Sequence, residues 1–303
     1  MAVDLGGTKM RAASVAPGGK VIDRCELPTP RAASCPDALH SLMSEVGGTS
    51  DVDHAVVGLP GRVDYEAGRL EWAPNLPESW LSDLTADRLA SVVGLDVLLA
   101  NDADLAAVGE AHLGAGRGFR DVAFVTISTG VGAGVVLGGR VVRGRRSLAE
   151  LGHTVIDHRA ADSGDAATVE QLGSGTAMAR TAAQSGVAAR GAELARLAGR
   201  GDRRAAALWD EAIGAAAYGI TNLAHMFLPQ AVVVGGGVGR NAGLVLHHVE
   251  AALRAHGPRD LSEPIAVVEA ALGDDAGLVG AAMWHRAFGD GLDAEIHEEV
   301  AGG

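Results

Sequence analysis

The stretch Val97-Leu98-Leu99-Ala100-Asn101-Asp102 carries an apolar run directly into an amide and a carboxylate. The apolar run is typical of a buried strand, and we predict a strand over residues 95–100 followed by a helix over residues 104–112. Strands that alternate with helices indicate an α/β fold. Ligands in such folds gather beyond the carboxyl ends of the strands, so Asn101 and Asp102 lie where a binding site is expected.

Two loops rich in glycine and threonine flank this stretch. They are Asp4-Leu5-Gly6-Gly7-Thr8-Lys9 and Thr126-Ile127-Ser128-Thr129-Gly130-Val131-Gly132. Glycine lets the main chain approach a ligand closely and present its N–H groups to phosphate oxygens. A carboxylate between two phosphate-binding loops is suited to take a proton from an attacking alcohol. The arrangement predicts a kinase that acts on a small hydroxylated molecule.

The pattern around the first loop is repeated around the second. Strand-like segments at 2–5, 10–16 and 20–27, with a turn at Pro17-Gly18-Gly19, are matched by segments at 122–127, 134–137 and 141–142, with a turn at Gly138-Gly139. Gly114-Ala115-Gly116-Arg117-Gly118 is a predicted hinge. We therefore expect two lobes with a cleft between them. Residues 1–114 form the small lobe, joined by a C-terminal helix from about residue 276, and residues 115–275 form the large lobe.

Further elements are predicted from the spacing of apolar residues. Helices are expected over residues 38–46, 81–93, 208–226 and 276–287, and strands over 53–59 and 231–234. The acidic residues 290–303 are expected to be loosely held.

Composition excludes several classes of function. A formal net charge of −13 over 303 residues argues against nucleic acid or an anionic membrane as the main partner. No apolar run approaches the roughly 20 residues of a membrane span, and the first 20 residues do not resemble a signal peptide. The two cysteines, Cys25 and Cys35, are too few for a disulfide framework or a metal cluster. We expect a soluble cytoplasmic protein.

With these residues assembled, the chain resembles the ROK family (repressor, open reading frame, kinase), which are bacterial-type sugar kinases of the actin-like ATPase superfamily. Each glycine motif alone is weak, and the resemblance rests on the order and spacing of several motifs over residues 4–287. The motifs are Asp4-x-Gly6-Gly7-Thr8-Lys9, Gly58-x-Pro60-Gly61, Ala73-Pro74-Asn75-Leu76, Asn101-Asp102-Ala103, Thr129-Gly130-x-Gly132, Glu150-x-Gly152-His153, Glu170 with Ser174-Gly175 after it, and Gly235-Gly236-Gly237.

The resemblance implies a two-lobed ribonuclease-H-like fold that closes over ATP and a hexose, and by analogy a homodimer. Asp102 would be the general base that takes the proton of the sugar 6-hydroxyl. Asp4 would organise Mg²⁺ through water. The sugar hydroxyls would be bound by Asn101, Glu150, His153 and Glu170, with Gly61, Arg62 and Asn75 completing the pocket. The phosphates would contact Gly6, Gly7, Thr8, Lys9, Thr129, Gly130 and Gly132, and the adenosine would contact Gly235, Gly236 and Gly237.

Simpler interpretations stay open for several of these residues. Asp102 could be the N-cap of the following helix, Lys9 an exposed lysine of the hairpin, and Arg62 a solvated side chain. Glu150 and His153 could be a surface pair, Glu170 could cap or solvate its helix, and Gly235–Gly237 a plain turn. The pair Arg145-Arg146 reads as a solvated loop.

The chain departs from the family pattern at two places. Most members carry a cysteine cluster that binds structural Zn²⁺ before the last glutamate, whereas residues 157–169 contain no cysteine. Because thiolates are what such a site requires, we expect no structural zinc, and what orients His153 is then open. Asp104 replaces an asparagine that is common in relatives. It could favour a cationic amino sugar by charge pairing, for which kanosamine is a candidate, or it could cap the helix.

Other functions compete with a glucose or amino-sugar 6-kinase. N-acetylmannosamine and N-acetylglucosamine are alternative substrates. A DNA-binding repressor of the same family would need a helix-turn-helix, and only three residues precede Asp4. A sugar sensor without catalysis would be expected to lack the base or a phosphate loop, and this chain retains both.

Overall fold

The computed structural model describes residues 1–16, 18–30, 33–47, 52, 54–147 and 149–288. The strands are β1 (Ala2–Leu5), β2 (Lys9–Val15), β3 (Val21–Pro28), β4 (His54–Leu59), β5 (Arg62–Asp64), β6 (Arg69–Trp72), β7 (Asp96–Asn101), β8 (Val122–Ile127), β9 (Val131–Leu137), β10 (Arg140–Val141), β11 (Ala231–Gly235) and β12 (Ala266–Glu269). The helices are α1 (Cys35–Ser44), α2 (Ala86–Val93), α3 (Asp102–Leu113), α4 (His158–Ser163), α5 (Val169–Gly173), α6 (Gly175–Gln184), α7 (Gly191–Gly199), α8 (Arg203–Phe227), α9 (Gly236–Gly239), α10 (Ala242–His256) and α11 (Ala276–Phe288).

Two five-stranded sheets share one topology. The first has the order β3-β2-β1-β4-β7, in which β1 is antiparallel to β2 and parallel to β4. The second has the order β10-β9-β8-β11-β12, in which β8 is antiparallel to β9 and parallel to β11. The predicted duplication is confirmed. Each glycine-threonine loop is the turn between the first two strands of its sheet, so the two loops occupy equivalent positions.

Helices α3 and α11 lie between the two sheets. One apolar cluster combines Val56 of the first sheet, Val233 of the second and Leu105 of α3 with residues of α11. The two helices touch through their backbones at Gly280, where a Cβ atom would lie 1.8 Å from the Leu105 carbonyl oxygen. Glycine is therefore required at this crossing. Since α11 also contacts β1, β2 and β4, we propose that it belongs to the small lobe, as the sequence suggested.

Most predicted elements are confirmed with end shifts of a few residues. The predicted helix over 81–93 is wrong at its start, because Thr85 is the N-cap of α2 and accepts a hydrogen bond from the Arg88 N–H at 3.3 Å. Strands β5, β6 and β12 were not predicted. Pro17, Asp53 and the acidic tail over 290–303 lie outside the described residues. No helix in the described part of the chain is both long and apolar enough to cross a membrane.

A buried carboxylate joins the segment that follows α3 to the segment that precedes α11. Glu110, on α3, is fully buried. Its Oε2 accepts hydrogen bonds from the N–H groups of Ala115 at 2.8 Å and Ala271 at 3.1 Å, and its Oε1 accepts one from Leu272 at 2.8 Å. Ala115 lies in the predicted hinge, and the other two residues lead into α11. One side chain thus satisfies backbone donors on both segments.

Replacing Glu110 by Ala would leave these three donors without their acceptor. We expect the free energy of unfolding to fall by at least about 1–3 kcal/mol, because an unsatisfied buried polar group has that cost. Urea unfolding measures the change. Glu250→Ala is the control, since Glu250 is half exposed and its Oε2 lies 3.5 Å from Arg254 on the same helix. Equal effects of the two substitutions would contradict the role of Glu110.

Candidate active site

Asn101 connects the end of β7, the start of α3 and the turn at Gly61. Its Oδ1 accepts hydrogen bonds from the N–H groups of Ala103 at 2.9 Å and Asp104 at 3.1 Å, and its Nδ2 donates to the Gly61 carbonyl at 2.9 Å. Asn101 is therefore the N-cap of α3, and the interpretation of Asp102 as that cap is wrong. Asp102 is the first helical residue, and its side chain opens into the cleft.

Gly61 shapes the turn that brings the β5–β6 hairpin over the start of α3. Its φ is +100°, in the region that favours glycine. A Cβ atom here would also lie 2.2 Å from the Trp72 carbonyl oxygen. The turn therefore needs glycine for both its conformation and the close approach of β6.

A first cavity of about 280 Å³ lies on one side of Asp102. It brings together every residue predicted for the sugar site except Arg62, along with Ser128 of the second glycine loop. Trp72 and Ser147 also line it, and the sequence analysis missed them. The predicted residues that line it are Gly61, Asn75, Asn101, Asp102, Glu150, His153 and Glu170, together with the loop residues Thr129, Gly130 and Gly132. The Arg62 guanidinium instead lies over the Trp72 ring, 5.9 Å from its centroid.

Glu170 and the second glycine loop form one unit. The Oε2 atom of Glu170 accepts a hydrogen bond from the Val131 N–H at 2.9 Å. A Cβ atom on Gly130 would lie 2.3 Å from the same oxygen. The loop therefore leaves room for the Glu170 carboxylate, which binds the loop backbone and does not merely cap its own helix.

His153 reaches the first cavity beside Glu150 and Trp72. Its Nε2 lies 3.9 Å from Glu150 Oε2, which is too long for a hydrogen bond. Its ring meets the Trp72 ring edge to face, with 6.2 Å between centroids. Trp72 directly precedes the Ala73-Pro74-Asn75 motif, a position that could have identified it. The His153 imidazole is therefore flanked by the Trp72 ring and the Glu150 carboxylate.

A second cavity, of about 260 Å³, lies on the other side of Asp102. Asp102, Thr126 and Ser128 line both cavities. The second cavity is further lined by Asp4, Arg11, Gly236, Gly237, Arg240 and Asp274. The carboxylate predicted to be the base therefore stands at the boundary between two cavities.

A third cavity, of about 920 Å³, lies among the helices that follow β10. Its walls come largely from small and apolar residues of α6, α7, α8 and α10, including Ala179, Ala195, Trp209 and Leu244. Ser128 lines all three cavities, and Gly237 lines the second and the third. The three cavities therefore meet beside the second glycine loop.

The environment of Asp102 suits a general base. Although the side chain is open to the cleft, the surrounding protein displaces water from it. This desolvation raises the pKa of Asp102 to about 7, and the negative charge of Asp4 adds to the shift. A base is most effective when its pKa lies near the working pH.

The first glycine loop lies further from the cavities. Gly6, Gly7, Thr8 and Lys9 are not among the residues that line them, although a Cβ on Gly7 would lie 2.4 Å from the Asn75 carbonyl oxygen. The Lys9 ammonium pairs with Glu26 at 3.1 Å, as an exposed hairpin lysine would. Gly235 also lines none of the three cavities. The phosphate-binding role of this loop and the adenosine contact of Gly235 stay predictions.

Asp104 does not reach the first cavity. It is fully buried, and its Oδ2 accepts a hydrogen bond from the Tyr65 hydroxyl at 2.7 Å. Because Asn101 is the N-cap of α3, the interpretation of Asp104 as a helix cap is wrong. The charge pairing between Asp104 and an amino sugar stays a prediction. Burial raises the pKa of Asp104 to about 7.

The pair Arg145-Arg146 lies in a partly exposed loop, as predicted, but both side chains also form ion pairs. The Arg145 Nη2 lies 2.7 Å from Asp64 Oδ2, and the Arg146 Nη2 lies 2.8 Å from Glu71 Oε1. Asp64 belongs to β5 and Glu71 to β6, so both carboxylates lie on the β5–β6 hairpin. The two ion pairs hold the segment that leads to Glu150 against the opposite wall of the first cavity.

The segment without cysteines forms a small capped helix. The Oδ1 of Asp157 accepts hydrogen bonds from the N–H groups of Arg159 and Ala160, both at 3.0 Å, and α4 follows. Thr168 and Gln171 form a capping box at the start of α5. Among the described residues, no three His, Cys, Asp or Glu side chains are grouped to hold a metal. The absence of structural zinc stays a prediction.

Comparison with known proteins identifies the family. The ROK family model matches residues 1–287. The chain belongs to the ROK family. A glucokinase of Thermotoga maritima is 30% identical and covers 92% of this chain and 95% of its own length. An N-acetylmannosamine kinase of Salmonella typhi is 33% identical, covering 93% and 97%.

The fold also matches a solved ROK-family structure. A glucokinase from Streptomyces griseus, in complex with glucose and AMPPNP, superposes with a TM-score of 0.77 at 32% identity. The match covers 92% of this chain and 96% of that one. The predicted two-lobed α/β fold of the family is confirmed.

Replacing Asp104 by Asn should make stability less dependent on pH. Because burial raises the folded-state pKa of Asp104 to about 7, the folded protein binds this proton more tightly than the unfolded chain does. The associated stability is complete below about pH 4 and is lost as pH rises through about 7. Relative to the wild type, Asp104→Asn should therefore gain stability between pH 4 and pH 8 in urea unfolding. A difference that is constant over this range would contradict the prediction.

Proposed function

We propose that this ROK-family sugar kinase transfers the terminal phosphoryl group of ATP to the 6-hydroxyl of a hexose or an amino sugar, with glucose and kanosamine as candidates. One observation carries the proposal. Asp102 lies at the boundary between the first cavity, which is lined with sugar-binding side-chain types, and the second, which adjoins the larger third cavity. A base at this boundary can contact the acceptor hydroxyl while the phosphoryl donor approaches from the other side.

The first cavity has the chemistry of a sugar site. Carboxylate, amide and imidazole groups supply acceptors and donors for adjacent hydroxyls, and Glu150, His153, Glu170 and Asn75 provide them here. Asn101 already uses its Oδ1 and one Nδ2 hydrogen inside the protein, so one N–H remains for a sugar. The Trp72 ring, which is 44% exposed, adds an apolar wall.

Asp102 would remove the hydroxyl proton as the oxygen attacks phosphorus. Phosphoryl transfer depends mainly on in-line positioning and on charge neutralisation. The capped start of α3 fixes the base, and the Asn101–Gly61 hydrogen bond fixes the wall opposite it. The transferred proton then resides on Asp102, whose raised pKa favours its acceptance.

The second and third cavities would bind the nucleotide. The third is large and mostly apolar, as a base and ribose require, and the Gly236-Gly237 turn borders both. Asp4 lines the second cavity, and its Oδ2 accepts hydrogen bonds from Arg11. This carboxylate would organise, through water, the Mg²⁺ that accompanies ATP. Mg²⁺ is held by few carboxylates together with water and phosphates, which fits this arrangement. The ion would neutralise charge on the phosphates.

Two other functions remain as alternatives. The similarity to an N-acetylmannosamine kinase supports an N-acetylmannosamine or N-acetylglucosamine kinase as the second candidate. A sugar-sensing regulator without catalysis is less favoured, because the base and the second glycine loop are both present at the cleft. The acidic lining of the first cavity, with Asp102, Glu150 and Glu170, favours neutral or cationic sugars over anionic ones.

The substrate is tested by a coupled ADP-release assay over glucose, mannose, kanosamine, glucosamine, N-acetylmannosamine and N-acetylglucosamine. We expect turnover with at least one of these sugars, and NMR of the product to show phosphate on the 6-oxygen. Phosphate at another position would contradict the assigned reaction. ADP release that no sugar stimulates would support the sensor.

Asp102→Asn should retain sugar binding and lose turnover. Removing a general base typically lowers the rate by about 10²–10⁴-fold, while the amide can still contact a hydroxyl. Steady-state kinetics and calorimetric sugar binding separate the two effects. A variant that phosphorylates the sugar at near the original rate would show that Asp102 is not the base.

The pH profile should also report this carboxylate. Because the pKa of Asp102 is raised to about 7 and only the ionised form accepts a proton, kcat/KM should rise with pH and level off above about 7. The measurement uses saturating Mg²⁺ from pH 5 to pH 9. A flat profile down to pH 5 would be inconsistent with a base in this environment.

A further inference from the structure

The second cavity contains more negative than positive side chains. Asp4, Asp102 and Asp274 line it, whereas Arg11 and Arg240 are the cationic side chains among its described lining residues. The phosphates of ATP must enter this acidic surrounding, and transfer requires stabilisation of charge on their oxygens. Lys9, the cation suggested by the sequence, pairs with Glu26 outside the cavity. Arg11 and Arg240 are therefore the candidate cations for binding the phosphates.

Arg11 is already engaged. Its Nε and Nη2 donate to Asp4 Oδ2, and its Nη1 donates to the Asp274 carbonyl oxygen at 2.7 Å. Its side chain is only 15% exposed. Arg11 therefore holds Asp4 and the turn before α11 in place, with little capacity for a ligand.

Arg240 is placed differently. Its Nη2 donates to Asp274 Oδ1, its side chain is 51% exposed, and a guanidinium has five N–H donors. Its chain neighbours Val238 and Asn241 line the third cavity, while Arg240 itself lines the second. It thus stands where a nucleotide seated in the third cavity would extend its phosphates toward Asp102.

We propose that Arg240 binds the terminal phosphates of the nucleotide during transfer and that Asp274 positions its guanidinium. The inference rests on the proposed function. A guanidinium can engage two phosphate oxygens at once, and here it would also offset the charges of Asp4 and Asp102. Asp274 holds Arg240 toward the cavity through one nitrogen, which leaves the remaining donors for the ligand.

The chain offers a matched control for this arginine. Arg24 pairs with Asp275, the residue next to Asp274 on the same turn, with 2.9 Å between Nη1 and Oδ1. Arg24 is not among the residues that line the second cavity. Arg24→Ala therefore removes a comparable ion pair from the same turn without removing a phosphate ligand.

Binding of ADP and AMP with Mg²⁺ is measured by calorimetry on the full chain, and ATP kinetics are measured at saturating sugar. For Arg240→Ala we expect ADP affinity and kcat/KM for ATP to fall about 10–100-fold, as for a lost hydrogen bond to a charged group. AMP affinity and the KM for sugar should stay within about twofold. Arg240→Lys should recover only part of the loss, because a single ammonium lacks the planar fork. Arg24→Ala should match the wild type.

Asp274→Asn tests the positioning role. We expect a smaller fall in kcat/KM for ATP than for Arg240→Ala, and a double variant equal to Arg240→Ala alone, because the carboxylate acts through the arginine. Additive losses would overturn the role of Asp274. Equal loss of ADP and AMP affinity in Arg240→Ala, no loss of either, or the same loss in Arg24→Ala would overturn the role of Arg240. Failure of the wild type to bind nucleotide or phosphorylate any sugar would instead reject the proposed function.

Discussion

The hydrogen bonds of the Asn101 side chain are the interactions on which the rest of the site depends. It caps α3 through Oδ1 and holds the Gly61 turn through Nδ2. Its own backbone N–H donates to the Tyr65 hydroxyl at 3.2 Å, and that hydroxyl donates to the buried Asp104. One amide therefore couples β7, α3 and the β5–β6 hairpin. Because Asp102 is the next residue, its carboxylate has a defined direction into the cleft.

The duplicated sheets explain why a carboxylate that points into the cleft is well placed. Equivalent turns, between β1 and β2 and between β8 and β9, belong to two sheets that enclose α3 and α11. The close crossing at Gly280 fixes α3 against α11, and Glu110 ties α3 to the segment after it and to the segment before α11. Asp102, the predicted base, therefore lies on a helix that is held at both of these points. The walls of the cleft are joined to it by hairpins and loops.

The first two cavities contain few positively charged side chains. Asp4, Asp102, Asp274, Glu150 and Glu170 line the first two cavities. This excess of carboxylates disfavours anionic ligands unless cations accompany them, which is consistent with the net charge of −13. A nucleotide would be accommodated with Mg²⁺ and with Arg240. Local neutralisation rather than a general positive field would then retain the phosphates.

Sequence alone determined the α/β class, the duplication, the family resemblance and the position of Asp102, because these follow from short-range patterns: apolar runs, glycine motifs and their order. Tertiary structure decided which side chains meet. Lys9 and Arg145 looked alike as exposed cations, yet one pairs within its hairpin and the other with a buried aspartate more than 80 residues away. Trp72, Arg240 and Asp274 belong to no recognised motif. Asp104 lies only two residues after Asp102 on the same helix, yet it is buried. Such contacts depend on the packing of distant segments, which local patterns do not encode.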